Sequence, residues 1–81
     1  MTIQILGTGC SRCKTLFELA GKAVRETGVN AAIEKVEDIA RILEFDILAT
    51  PGLAIDGKVK VAGRIPPLDE IKRLILEARG D

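Results

Sequence analysis

The chain has no histidine, no tryptophan and no tyrosine, and only two phenylalanines, Phe17 and Phe45. Each shortage removes a class of chemistry. With two cysteines and no histidine, one chain falls short of the four ligands that a closed zinc site favours, unless a dimer brings four thiolates together. With so few aromatic rings, base stacking on any scale is not available. An excess of charge is missing as well: twelve basic and twelve acidic residues are interspersed to a formal net charge of zero. That leaves no broad electrostatic footprint for nucleic acid or an anionic membrane, and neither partner is expected. The opening stretch Met1 to Leu6 carries no basic leader and too few apolar residues for a signal peptide or a membrane span, so a cytoplasmic location is expected. A length of 81 residues predicts a single domain over 1–81 with one small core.

What is present is a cysteine pair, Cys10-Ser11-Arg12-Cys13, placed where a short apolar strand gives way to a long helical pattern. Two thiols at this spacing on a helix N-terminus can close a disulfide within one turn. The helix dipole and the first unpaired backbone N–H groups favour a thiolate on the first of them, lowering its pKa from roughly 8.5 into a range of about 3.5 to 7.5. Arg12 and Lys14 add positive charge, and no acidic residue lies within seven positions before Cys10 or four after it. In a reducing cytosol such a pair is catalytic or metal-binding rather than a structural staple.

The rest of the chain reads as one uninterrupted unit. Thr2 to Leu6 is rich in β-branched and apolar residues and ends at Gly7-Thr8-Gly9, a strand running into a tight loop. From Ser11 to Thr27 the residues Cys13, Leu16, Phe17, Ala20, Ala23 and Val24 follow one helix face, with Gly28 as the stop. That face buries Cys13. Val29, Ala31 and Ile33 give a weaker strand running to about Val36, so strand, helix and strand predict a right-handed parallel crossover. Asp38 can cap a short helix, Ile39 to Phe45, with Ile39, Ile42 and Leu43 on one face. Leu53 to Ile55 and Val59 to Val61 flank Asp56-Gly57, which fits a two-residue type I′ hairpin turn. After Pro66-Pro67, the residues Leu68, Ile71, Leu74, Ile75 and Ala78 mark an amphipathic helix with Asp69 and Glu70 in its first turn. The predicted order is β-α-β-α-β-β-α.

With the CxxC, the Thr50-Pro51 ahead of a hairpin and this element order, nearly the whole chain resembles the thioredoxin and glutaredoxin superfamily. It is most similar to the small, glutaredoxin-sized thioredoxin-like proteins of archaea and anaerobic bacteria, in which Gly-x-Gly-Cys-x-x-Cys follows the first strand and Thr-Pro-Gly precedes the hairpin. The resemblance implies an α/β thioredoxin-like fold, a four-stranded mixed sheet flanked by three helices. It implies a thiol-disulfide oxidoreductase that reduces protein disulfides, with Cys10 as nucleophile and Cys13 as resolving thiol. Gly9, Ser11, Arg12, Thr50, Pro51 and Gly63 would then face the substrate, Pro51 matching the family's cis-proline and Gly63 its glycine near the groove. No cofactor beyond the Cys10–Cys13 redox couple is implied. The implied partners are disulfide-containing proteins and an upstream donor like thioredoxin reductase, acting on a monomer.

Several residues depart from the family's pattern. Gly9 stands where thioredoxins place Trp, and Ser11-Arg12 replaces Gly-Pro. The position of the thioredoxins' buried Asp, six residues before the first cysteine, is Gln4, whose amide cannot take a proton from Cys13. Ala62-Gly63-Arg64 stands where glutathione-using glutaredoxins carry Gly-Gly and Asp. Two other functions compete. The CxxC thiolates suit a soft metal, as in a copper carrier, although Thr8 replaces the Met such carriers prefer, the chain ends in a helix, and Thr50-Pro51 has no role in that fold. A non-catalytic, redox-sensing binding module could also keep the fold, although both cysteines are retained.

Overall fold

A computed structural model of the protein describes residues 1–8, 11–47 and 49–79. The elements are β1 (Thr2–Leu6), α1 (Ser11–Thr27), β2 (Ala32–Val36), α2 (Ile39–Glu44), β3 (Gly52–Ile55), β4 (Lys58–Ala62) and α3 (Leu68–Ala78). They form one four-stranded sheet in the order β2-β1-β3-β4. β1 pairs with β2 in parallel and with β3 antiparallel, and β3 pairs antiparallel with β4. This is the mixed sheet with three helices that the sequence predicts.

Side chains alternate across a strand, so β1 serves two cores at once. Ile3 and Ile5 share one face with Leu53, Ile55 and Val61, and are covered by Leu16, Ala20 and Ala23 of α1 and by Ile71 and Ile75 of α3. Leu6 points to the other face, where it packs with Val36, Ala54, Ile47 and Ile42 of α2. The strand ends are pinned by hydrogen bonds. Asp56 donates its N–H to Thr2 O at 2.8 Å, and Thr2 N donates back to the Asp56 carboxylate at 2.8 Å. On the outer surface, Lys72 of α3 reaches Glu26 of α1 at 3.1 Å. Among the described residues no helix is long and apolar enough to cross a membrane.

The elements differ from expectation at three points: the start of β2, the buried face of α2 and the ladder of β4. β2 begins at Ala32 rather than near Val29, because its register on β1 starts at Thr2↔Ala32 and the chain before it has no strand to pair with. Val29 is buried all the same, as a side chain of the first core. α2 ends at Glu44, with Asp38 capping Ala40 N as expected, but its apolar residues do not share a buried face. Ile42 is buried, whereas Ile39 and Leu43 are each 63% exposed. A six-residue helix can turn only one narrow stripe to the sheet, and Ile39 and Leu43, four apart, lie on another. The hairpin turns at Asp56 (φ 50) and Gly57 (φ 85), the two positive values a type I′ turn requires. β4 then carries a bulge: Leu53 pairs with Val61 and Ala54 with Val59, leaving Lys60 without a partner in the ladder. Val61 therefore joins the first core and Val59 the second.

Candidate active site at one end of the sheet

β1 hands the chain to α1 at an end of the sheet where all four strands contribute backbone. Gly7 N donates to Val36 O at 3.0 Å, which ties the residue after β1 to the end of β2. On the other flank Leu6 pairs with Gly52 and Gly52 with Ala62, so the next residues outward are Gly7, Pro51 and Gly63. Gly63 N donates to Pro51 O at 2.9 Å. The Thr50–Pro51 peptide bond is cis, the Pro51 ring is fully buried, and Thr50 is exposed. Gly63 adopts φ +80, and a side chain there would also press on Ala49 Cβ at 3.0 Å. Two independent restraints thus select glycine at this position.

The first turn of α1 stands over this end. Ser11, Arg12 and Lys14 are exposed, Cys13 is buried at 6% exposure, and the turn has no acidic residue. The sulfur of Cys13 sits directly against the backbone of Gly7. A methyl group on Gly7 would overlap Cys13 Sγ and approach its Cβ to 3.2 Å. Gly7 is therefore required less for a turn than for the close approach of helix to strand. Cys10 and Gly9, the expected nucleophile and its neighbour, lie outside the described residues. Cys13, Pro51 and Gly63 are brought to the same sheet end, with exposed Ser11, Arg12 and Thr50 around them.

Comparison with known proteins bears on the family of the chain. Residues 1–76 match the thioredoxin domain family. A thioredoxin of Methanothermobacter thermautotrophicus is 45% identical over 75 residues, which is 93% of this chain and 97% of that protein. A thioredoxin of Methanocaldococcus jannaschii is 43% identical over 72 residues, covering 89% of this chain and 83% of that one. The chain belongs to the thioredoxin family. It is a thioredoxin-like protein-disulfide oxidoreductase.

The surroundings of Cys13 include no carboxylate at the position of the thioredoxins' buried Asp. Gln4, at the position of the missing Asp, accepts a hydrogen bond from Gly57 N at 3.2 Å and so helps hold the hairpin turn at the far end of the sheet. The space beside Cys13 is instead a cavity of about 270 Å³ lined by Ile5, Gly7, Cys13, Lys14, Lys35 and Glu37. Ile5 and Lys35 are register partners on adjacent strands, which places Lys35 on the α1 face. Its ammonium lies 4.6 Å from the centroid of the Phe17 ring, a cation–π contact that fixes it beside α1. Lys14, Lys35 and Glu37 are exposed, so the cavity is open to water. Gly7, Lys35 and Glu37 are the residues that sequence reasoning missed as parts of the site. The only local signal was Gly7 in its glycine-rich loop. The two charged residues read as ordinary surface positions around a weak strand.

Beyond Gly63, Arg64 closes an ion pair with Glu70 in the first turn of α3. Their hydrogen bond holds the Glu70 carboxyl below its ordinary range and the Arg64 guanidinium above its own, against partial desolvation that opposes both shifts.

Proposed function

We propose that the protein reduces protein disulfides through a Cys10–Cys13 dithiol, as a single domain over 1–81. The observation that carries this is the burial of the Cys13 sulfur against Gly7 in the first turn of α1, in a chain of the thioredoxin family. Cys10, immediately before that helix, attacks one sulfur of the substrate disulfide and forms a mixed disulfide, and the other substrate sulfur leaves as a thiolate. The shielded Cys13 thiolate then attacks Cys10 Sγ, closing the Cys10–Cys13 disulfide and releasing the second substrate thiolate. The dithiol is oxidised by two electrons and the substrate disulfide is reduced by two. A thioredoxin-reductase-like donor restores the dithiol, and no separate cofactor takes part. Gly9, Ser11, Arg12, Thr50, Pro51 and Gly63 form the surface against which an extended substrate segment lies. The protein works as a cytoplasmic monomer, without nucleic acid or membrane as partner.

Replacing the resolving thiol tests this directly. Cys13→Ser is expected to trap mixed disulfides on Cys10 that mass spectrometry identifies in a native extract, and finding none would argue against protein-disulfide substrates. The pH dependence of Cys10 alkylation is expected to show a pKa below the unperturbed value of about 8.5, together with a reversible two-electron couple. Tight Cu(I) binding with slow disulfide exchange would favour a metal carrier instead.

A further inference from the structure

Closing the disulfide requires Cys13 to lose a proton while it is buried, and Gln4, at the position of the family's Asp, is an amide engaged with Gly57. Within the described residues, the cavity beside Cys13 has one acidic residue in its lining, Glu37, and its exposed rim admits water. Lys14 from α1 and Lys35 from β2 are the other charged groups lining it. The acids on either side of Glu37 in the chain do not line the cavity: Glu34 of β2 is ion-paired to Arg41 of α2 at 3.5 Å, and Asp38 accepts from Ala40 N at 2.9 Å as the cap of α2. The backbone keeps these groups together. Gly7 N is bonded to Val36 O, so the residue that seats Cys13 is fastened to the one that precedes Glu37. A cavity of about 270 Å³ has room for several waters, enough for a bridge between carboxylate and thiol.

We infer that Glu37 is the proton acceptor for Cys13 in the resolving step, working through cavity water on the β2 flank of the site. This rests on the dithiol exchange proposed above. The Cys13 thiol passes its proton through water to the Glu37 carboxylate, giving a Cys13 thiolate and a neutral Glu37. The thiolate bonds to Cys10 Sγ, the bond from Cys10 to the substrate sulfur breaks, and the electron pair leaves with that sulfur. Glu37 then returns its proton to solvent or to the departing thiolate. Lys35 and Lys14 offset the negative charge that stands on sulfur between these events.

The test separates the two steps by using 5,5′-dithiobis(2-nitrobenzoate) as substrate. Reduced protein releases one coloured thiolate when Cys10 attacks and a second when Cys13 displaces the first adduct, and stopped-flow absorbance resolves the two phases. Glu37→Gln is expected to keep the first phase and slow the second about 100-fold near neutral pH, the low end of the usual contribution of a general base. The second phase of that variant should rise with pH across the range where the wild type is flat, and Glu37→Asp should restore part of the rate. Glu34→Gln, with the same change in charge, should leave the second phase as in the wild type. A Glu37→Gln protein whose second phase matches the wild type at every pH overturns the assignment, and so does equal slowing by Glu34→Gln. If the wild type gives no second phase at all, the dithiol exchange itself fails, a result distinct from either.

Discussion

At the scale of single residues the site depends on contacts that leave almost no room for change. Cys13 owes its position to the absence of a side chain at Gly7, and Gly7→Ala forces the sulfur or the whole first turn of α1 to move. Overpacking of this kind costs about 1–3 kcal/mol, to be read from the urea midpoint, and it should slow the second phase of disulfide exchange in the same protein. Unchanged stability with an unchanged second phase would mean that the helix start yields freely. Arg64 and Glu70 supply a pH-dependent contact. Because Glu70 titrates below its ordinary range when folded, the stability it contributes is present above the unfolded carboxylate range and is lost as pH falls through the lowered folded value. NMR titration should place the Glu70 midpoint below that of an ordinary glutamate, and Arg64→Met should return it toward the ordinary value. A midpoint that Arg64→Met does not move would remove Arg64 as the cause.

At the scale of elements, the bulge in β4 decides which core each valine enters. Strict alternation of Lys58-Val59-Lys60-Val61 would put both valines on one face, yet the unpaired Lys60 sends Val59 to the α2 side and Val61 to the α1 and α3 side. Deleting Lys60 would therefore leave a regular ladder in which the two valines are adjacent and still face opposite cores. The shortened protein is expected to unfold cooperatively in urea within about 1 kcal/mol of the parent, since no core contact is lost. Collapse of the fold on that deletion would show that the bulge itself is needed to shape the sheet end next to Gly63. α2 is the contrasting case. Its periodicity suggested one apolar face, but six residues are too few for the pattern to say which stripe meets the sheet. By comparison α1 and α3 were legible residue by residue, because 17 and 11 residues of helical period leave little choice of face.

At the scale of the whole molecule, one sheet separates two cores of unequal size, and the larger one lies under α1 and α3. A domain of this length has a total stability of roughly 4–12 kcal/mol, so one large core deletion removes much of it. Leu16→Ala, at a fully buried position in the middle of the larger core, should cost about 2–5 kcal/mol by urea denaturation. A loss below about 1 kcal/mol would mean that the core refills the cavity rather than leaving it. The same layout explains why the site lies where it does. Sheet, α1 and the loop before β3 meet at one end, and the backbone bonds from Gly7 to Val36 and from Gly63 to Pro51 hold that end across all four strands.

The sequence by itself determined what depends on neighbours along the chain. The element order, the long helices, the hairpin at Asp56-Gly57, the cap at Asp38 and the placement of a cysteine pair at a helix start all follow from local period, turn chemistry and spacing. Tertiary structure decided what depends on register and on distance through space. Gly7 matters because Cys13, from the next element, presses on it, and Lys35 belongs to the site because its strand pairs with Ile5. Glu37 joins them because Val36 is bonded to Gly7. None of these pairings has a local signature, since a strand does not carry in its own residues the identity of the strand or helix that will cover it.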